Sequence, residues 1–189
     1  MINYSDKHKV LWATPQRTAT RSCIEIQKYF EFDVFGQHDL EIPKDKKDYF
    51  FVFNTRNPYI RMISIYHLFC IKYNLKPNNF NNWIREKIIE EIKYPHYQVF
   101  LKTKILKKPD LFIRVESLYS DISKIPISTD NSDKFFDVVN HNILRNAYSS
   151  GYDYRDYYDQ DLADYVYSHL EEDFVYFNYN KDSWKDGTS

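Results

Sequence analysis

Apolar residues in this chain come in short blocks whose period switches between that of a strand and that of a helix. Lys9 to Ala13 carry a compact apolar run that Thr14 and Pro15 stop, the signature of a buried parallel strand. Ile24, Ile26, Tyr29 and Phe30 then recur at helical spacing and predict a helix over 20–31. Phe32 to Phe35 read as a second short strand, with Gly36-Gln37-His38-Asp39 as the loop after it and 43–48 as a charged surface turn. Tyr49 to Asn54 form a strand that is apolar on both faces. Asn57 can cap the helix that follows, and Pro58 suits its first position, so a helix is expected over Pro58–Tyr73 until Lys76-Pro77-Asn78-Asn79 break it.

The second half follows the same alternation. Phe80 to Lys93 predict a helix with Trp83, Ile84, Ile88 and Ile92 on one side and Glu86, Lys87, Glu90 and Glu91 on the other. The pattern over 94–109 fits neither period. Leu111 to Val115 read as a strand, Glu116 to Ile122 as a short helix, Lys134 to Val139 as a short helical piece and Tyr158 to Asp173 as the last helix. Asn146 to Tyr152 form a polar loop, and the chain is expected to fray over about 181–189. Strands alternating with helices predict an α/β fold, a single domain over 1–189 whose central parallel sheet is flanked by helices. A ligand would then sit at the carboxyl ends of the strands.

Composition narrows this only a little. A chain of 189 residues can bury a substantial core, and repeats or a second composition regime are absent. The net charge of −1 gives no reason to invoke nucleic acid or an acidic membrane. Aromatic residues make up 19%, and most are expected in the core or half-buried. Cys23 and Cys70 both fall on apolar helix faces and read as buried free thiols. The N-terminus lacks the apolar run of a signal peptide, and no segment approaches the ~20 apolar residues of a membrane span. A cytoplasmic protein with no membrane partner is the expectation. The histidines show no metal-ligand spacing, so no metal is expected.

Candidate chemistry concentrates after two strands. Between the first strand and its helix, Thr18, Thr20 and Ser22 crowd hydroxyls and backbone N–H groups at a helix start, and Arg17 and Arg21 add two full charges. A helix N-terminus carries partial positive charge and N–H groups without intrahelical partners, so such a loop suits phosphate or sulfate. After the strand at 49–54 comes Arg56, with Ser64 two turns into the next helix.

These two stretches resemble the sulfotransferases that use 3′-phosphoadenosine 5′-phosphosulfate. Pro15-Gln16-Arg17-Thr18-Ala19-Thr20-Arg21-Ser22 is similar to that family's first motif, and Arg56-Asn57-Pro58, Ser64 and Tyr66-His67-Leu68-Phe69 match the second in order and spacing. The likeness continues at Phe112 to Leu118 and from Tyr154 to Tyr179, a pattern of glycan-type members. Three departures stand out: Ala19 occupies a position where Gly is usual, Arg21 replaces a small residue and Arg17 replaces the commoner Lys. An Arg keeps its charge and offers a planar fork of donors, but cannot give up a proton.

The resemblance implies a P-loop-like sulfotransferase fold and transfer of a sulfuryl group from that donor to an acceptor hydroxyl, on a carbohydrate. It assigns Arg17 to the bridging oxygen, Thr18, Ala19, Thr20, Arg21 and Ser22 to the 5′-phosphate, and Arg56 and Ser64 to the 3′-phosphate. His38 is the candidate general base, with Glu41 and Asp39 as runners-up. Arg61, one turn before Ser64, could face the ligand or solvent, with solvent preferred; Glu116 is expected to be structural, and the loop 148–152 either closes over the nucleotide or is a plain connector. Two rivals remain: a non-catalytic sulfotransferase-like binding module, and a P-loop nucleotide kinase. The Gly-Lys-Ser/Thr ending that holds magnesium in the latter is missing.

Overall fold

Four strands build one sheet in the order β1-β2-β3-β4: β1 (Ile2–Ser5), β2 (Val10–Ala13), β3 (Phe50–Thr55) and β4 (Leu111–Arg114). The computed structural model describes residues 1–33, 42, 44–76, 79–91, 107–127, 137 and 153–186. β2, β3 and β4 run parallel, with Trp12 opposite Val52 and Asn54 opposite Ile113. β1 joins antiparallel to β2, Asn3 facing Trp12. The expected strands at 9–13, 49–54 and 111–115 are therefore present to within a residue.

β1 adds an antiparallel edge to the expected central parallel sheet. Ile2-Asn3-Tyr4-Ser5 is too short and too mixed to announce a strand, and its order comes from its neighbours. It pairs along β2, and the Thr14 N–H donates to the Met1 carbonyl (2.9 Å). Of the strand expected at 32–35, the described part is an isolated antiparallel bridge between Asp33 and Tyr4.

The chain divides into two compact units that each take two segments, Met1–Thr55 with Phe100–Tyr148, and Arg56–Val99 with Ser149–Ser189. The first, a sheet unit, carries α1 (Thr20–Tyr29) and the short α4 (Leu118–Ile122). One face of its sheet presents Val10, Trp12, Val52 and Ile113, which pack with Cys23, Ile26 and Phe30 and with Leu118 and Ile122. The side chains of Asn3 and Gln27, both fully buried, are hydrogen-bonded to each other and tie β1 to α1. On the opposite face Leu11, Phe51 and Phe53 are also fully buried.

The second, a helical unit, contains α2 (Pro58–Tyr73), α3 (Phe80–Glu91) and α5 (Gln160–Tyr176). Tyr59, Met62, Ile63 and Tyr66 of α2 share a core with Phe80, Trp83 and Ile84 of α3 and with Leu162, Val166, Leu170 and Phe174 of α5. α2 begins as its sequence predicts, with the Asn57 side chain accepting from the Tyr59 N–H (3.0 Å) and Pro58 in the first turn. Its end is set by Asn74 in the left-handed conformation, φ 52°.

Two expectations fail in this unit. The tail does not fray up to Asp186: the Lys181 carbonyl accepts from the Tyr59 hydroxyl (2.7 Å), the Ser183 hydroxyl accepts from the Asn57 amide (2.8 Å), and Trp184 packs on the core. Its residues are polar enough to look solvated, yet they supply partners that the buried start of α2 requires. Arg61 faces inward rather than to solvent. It is 5% exposed and paired with Asp173 of α5 at 3.2 Å. A lone charge on an apolar helix face looks solvated from sequence because its partner lies 112 residues away.

Candidate functional site

The turn from β2 to α1 is an irregular loop, Thr14 to Ala19, and its backbone alternates in hand. Arg17 (φ 69°) and Ala19 (φ 57°, ψ 32°) are left-handed, and Thr18 between them is not. Left-handed residues in such a loop can turn peptide N–H groups toward a concavity that binds anions, although here the Thr18 N–H is directed to the Pro15 carbonyl (3.3 Å). α1 then starts at Thr20 with Ala19 as its N-cap, and no side chain caps it. The left-handed geometry gives Ala19 a physical reading: a Gly would adopt it without strain, and a Cβ there costs about 1–2 kcal/mol.

The hydroxyls expected to reach a phosphate are turned inward. Thr18 is fully buried, and its hydroxyl donates to the Pro15 carbonyl (2.7 Å), to which its N–H also points (3.3 Å). The Thr20 hydroxyl donates to the same carbonyl at 3.2 Å. Both therefore stitch the loop to itself, and each hydroxyl has only one proton to give. Ser22 is buried at 3% exposure on α1. Arg21 is exposed and Arg17 half-buried. Burial holds the Arg17 guanidinium below its ordinary range, and the charge of Arg21 adds to that effect.

Behind the loop stands a residue that sequence reading passed over. Asn54, fully buried in β3, accepts from the Trp12 indole N–H (2.7 Å) and donates to the Thr18 carbonyl (3.0 Å) and to Cys23 Sγ (3.0 Å). The only signal for it was a polar residue ending an apolar strand, Phe-Phe-Val-Phe-Asn. Cys23 stays a thiol in this setting. Burial pushes its pKa up to about 12, against a smaller opposing effect of the Asn54 hydrogen bond. Cys23 and Cys70 are both buried and free, as expected.

The second motif belongs to the helical unit. Arg56 and Ser64 are 7% and 3% exposed, and two turns of α2 separate them. Arg56 directly precedes the Asn57 cap. Farther along the helix the His67 ring, whose pKa burial lowers, shares a hydrogen bond with the Tyr157 hydroxyl (2.9 Å). In the sheet unit Glu116 lies in the turn between β4 and α4, where Asp121 is the organising carboxylate. It accepts from the Ser117 hydroxyl (2.7 Å) and the Arg114 N–H (3.0 Å) and pairs with Lys124.

His38, Asp39, Glu41 and the loop 148–152 lie outside the described residues, as do most of the segments 94–109 and 134–139. Among the described residues, no helix is long and apolar enough to cross a membrane, and no group of three His, Cys, Asp or Glu side chains could hold a metal. Compared with known proteins, the chain matches no family model, no curated protein and no solved structure.

Proposed function

We propose that this chain is a sulfotransferase that moves a sulfuryl group from 3′-phosphoadenosine 5′-phosphosulfate to an acceptor hydroxyl, on a carbohydrate. One observation carries the reading: the loop after β2 alternates left-handed Arg17 and Ala19 around Thr18 and opens directly into α1. With the Thr18 N–H turned to Pro15, the Ala19 N–H and those of the first turn of α1 would form an anion cradle at the carboxyl end of a parallel strand. Arg17 lies within that loop, and both burial and Arg21 disfavour its charge. A bound anion would offset both effects.

In this reading the acceptor oxygen attacks sulfur as the bond from sulfur to the bridging phosphate oxygen breaks, and the acceptor proton passes to a base. The products are a sulfate ester and adenosine 3′,5′-bisphosphate. Positioning and charge stabilisation dominate such transfers. Arg17 would stabilise the charge growing on the bridging oxygen. The backbone N–H groups from Ala19 to Ser22, with Arg21, would hold the 5′-phosphate. The roles of Arg56 and Ser64 at the 3′-phosphate, and of His38 as base, rest on sequence order and spacing. With the Thr18 and Thr20 hydroxyls bound to Pro15, main-chain donors carry most of the recognition. That same commitment favours the second reading, a binding module without turnover.

Adenosine 3′,5′-bisphosphate should raise the melting temperature well above the shift produced by 5′-AMP. Equal shifts would remove the 3′-phosphate site. Turnover of the donor with sugar, tyrosine-peptide and small-alcohol acceptors separates the enzyme from the binding module: nucleotide binding with no transfer to any acceptor class favours the module.

A further inference from the structure

Asn54 is a buried polar residue on a largely apolar sheet face, to which β1 also contributes Asn3 and Ser5. Val52, two residues before it, packs with Val10, Trp12, Cys23, Ile26 and Ile113, and Asn54 lies opposite Ile113 in the ladder. A buried carboxamide is costly unless its donors and acceptors are matched. Here both amide protons and the carbonyl oxygen have partners, on β2, on α1 and in the loop between them. An apolar residue of the same size would fill the site as well. The polar one adds direction.

The direction follows from the peptide bond. The described peptides are all trans, so the carbonyl of Thr18 and the N–H of Ala19 point opposite ways in one plane. Asn54 draws the Thr18 carbonyl inward at 3.0 Å. The Ala19 N–H therefore points away from Asn54. Ala19 must hold a left-handed backbone to keep this peptide in place, against the strain of its Cβ. Without an inner partner for the Thr18 carbonyl, a flip of the 18–19 peptide would relieve that strain. It would also put a carbonyl oxygen, which repels anions, where an N–H had been.

We infer that Asn54 is a positioning residue that locks the 18–19 peptide with its N–H toward the anion site, through its hydrogen bond to the Thr18 carbonyl. The inference rests on the nucleotide-binding reading above, but its geometry can be tested apart from it. Two variants of the full chain are compared. Trp12→Phe removes the indole donor and leaves the tether to Thr18 intact. Trp12→Phe with Asn54→Leu removes both partners of the Trp–Asn bond, so no indole N–H is left buried without its acceptor, and takes the Asn54 donor from the Thr18 carbonyl, which cuts the tether.

Adenosine 3′,5′-bisphosphate affinity, measured per folded molecule, should stay near wild type in Trp12→Phe and weaken about tenfold in the double variant. Amide hydrogen exchange over Ala19–Ser22 should quicken in the double variant alone. Equal affinity and equal exchange in the two variants would overturn the inference. A wild-type chain that binds no nucleotide would sink the functional reading instead. The exchange comparison would then decide the positioning role: faster loop exchange in the double variant supports it, and no difference removes it.

Discussion

The two arginine-bearing turns are built on opposite principles. The Arg17 loop gets its shape from the backbone, with two left-handed residues, hydroxyls folded back onto Pro15 and a buried Asn54 holding one peptide from behind. The Arg56 turn follows standard helix chemistry. Asn57 caps, Pro58 starts the helix, and the Arg61–Asp173 pair anchors its first turns. A backbone cradle tolerates side-chain changes that keep its dihedral angles. A turn built on side chains fails when one partner is lost.

The largest expected break is on the second side. Asp173→Ala leaves the 5%-exposed Arg61 guanidinium without its carboxylate and should cost about 3–5 kcal/mol in chemical denaturation. Changing Arg61 and Asp173 together to Met and Leu should recover most of that loss. A single variant that unfolds at the wild-type denaturant midpoint would mean the pair adds nothing.

Next comes Arg17→Ala. Its side chain is half-buried on a loop whose fold depends on other groups, so the melting temperature should move little. The proposed sulfuryl transfer should fall by about a hundredfold or more, the scale of losing one group that stabilises developing charge. Retained turnover would displace Arg17 from the bridging oxygen.

Asn57→Ala removes a cap that accepts from the Tyr59 N–H and donates to Ser183, and should destabilise by about 1 kcal/mol. Ala19→Gly should have the smallest effect and the opposite sign. Relief of the left-handed strain is worth about 1 kcal/mol, partly offset by the greater freedom of Gly in the unfolded chain. A destabilised Ala19→Gly protein would contradict the strained geometry assigned to this residue.

Acid separates the two units by a different route. Burial opposes ionisation of Asp121 in the sheet unit. Lys124, the Ser117 hydroxyl and the Arg114 N–H outweigh it and hold the carboxyl below its ordinary range. A depressed carboxyl stabilises the fold above its unfolded pKa of ~3.9, and that contribution disappears as pH falls further. In the helical unit burial lowers the pKa of His67, so its contribution begins to fall away earlier, as pH drops below ~6.5. His67→Gln should flatten the stability profile just below about pH 6.5, and Asp121→Asn should flatten it below about pH 4. Profiles unchanged by either substitution would refute both assignments.

Legibility in the sequence tracked the range of the interactions involved. Helix α2 starts at Pro58 and ends at Tyr73 as its pattern predicts, because the cap, the proline and the apolar period are all local. β2, β3 and β4 were legible because buried parallel strands are nearly continuous apolar runs. β1 was not, since four mixed residues become a strand only when β2 offers them an edge. Asp173 and the tail were missed for a related reason: their value lies in partners on distant segments, Arg61, Tyr59 and Asn57.

The candidate loop divides the same way. Its place between a strand and a helix, and its charges at Arg17 and Arg21, follow from residue order alone, since turn residues, helix starts and charges are local properties. The inward Thr18 and Thr20 hydroxyls, the left-handed Ala19 and the grip of Asn54 on the Thr18 carbonyl were settled by tertiary structure. Each depends on which buried group needs a hydrogen-bond partner, and that need exists only once the sheet and α1 have closed over it.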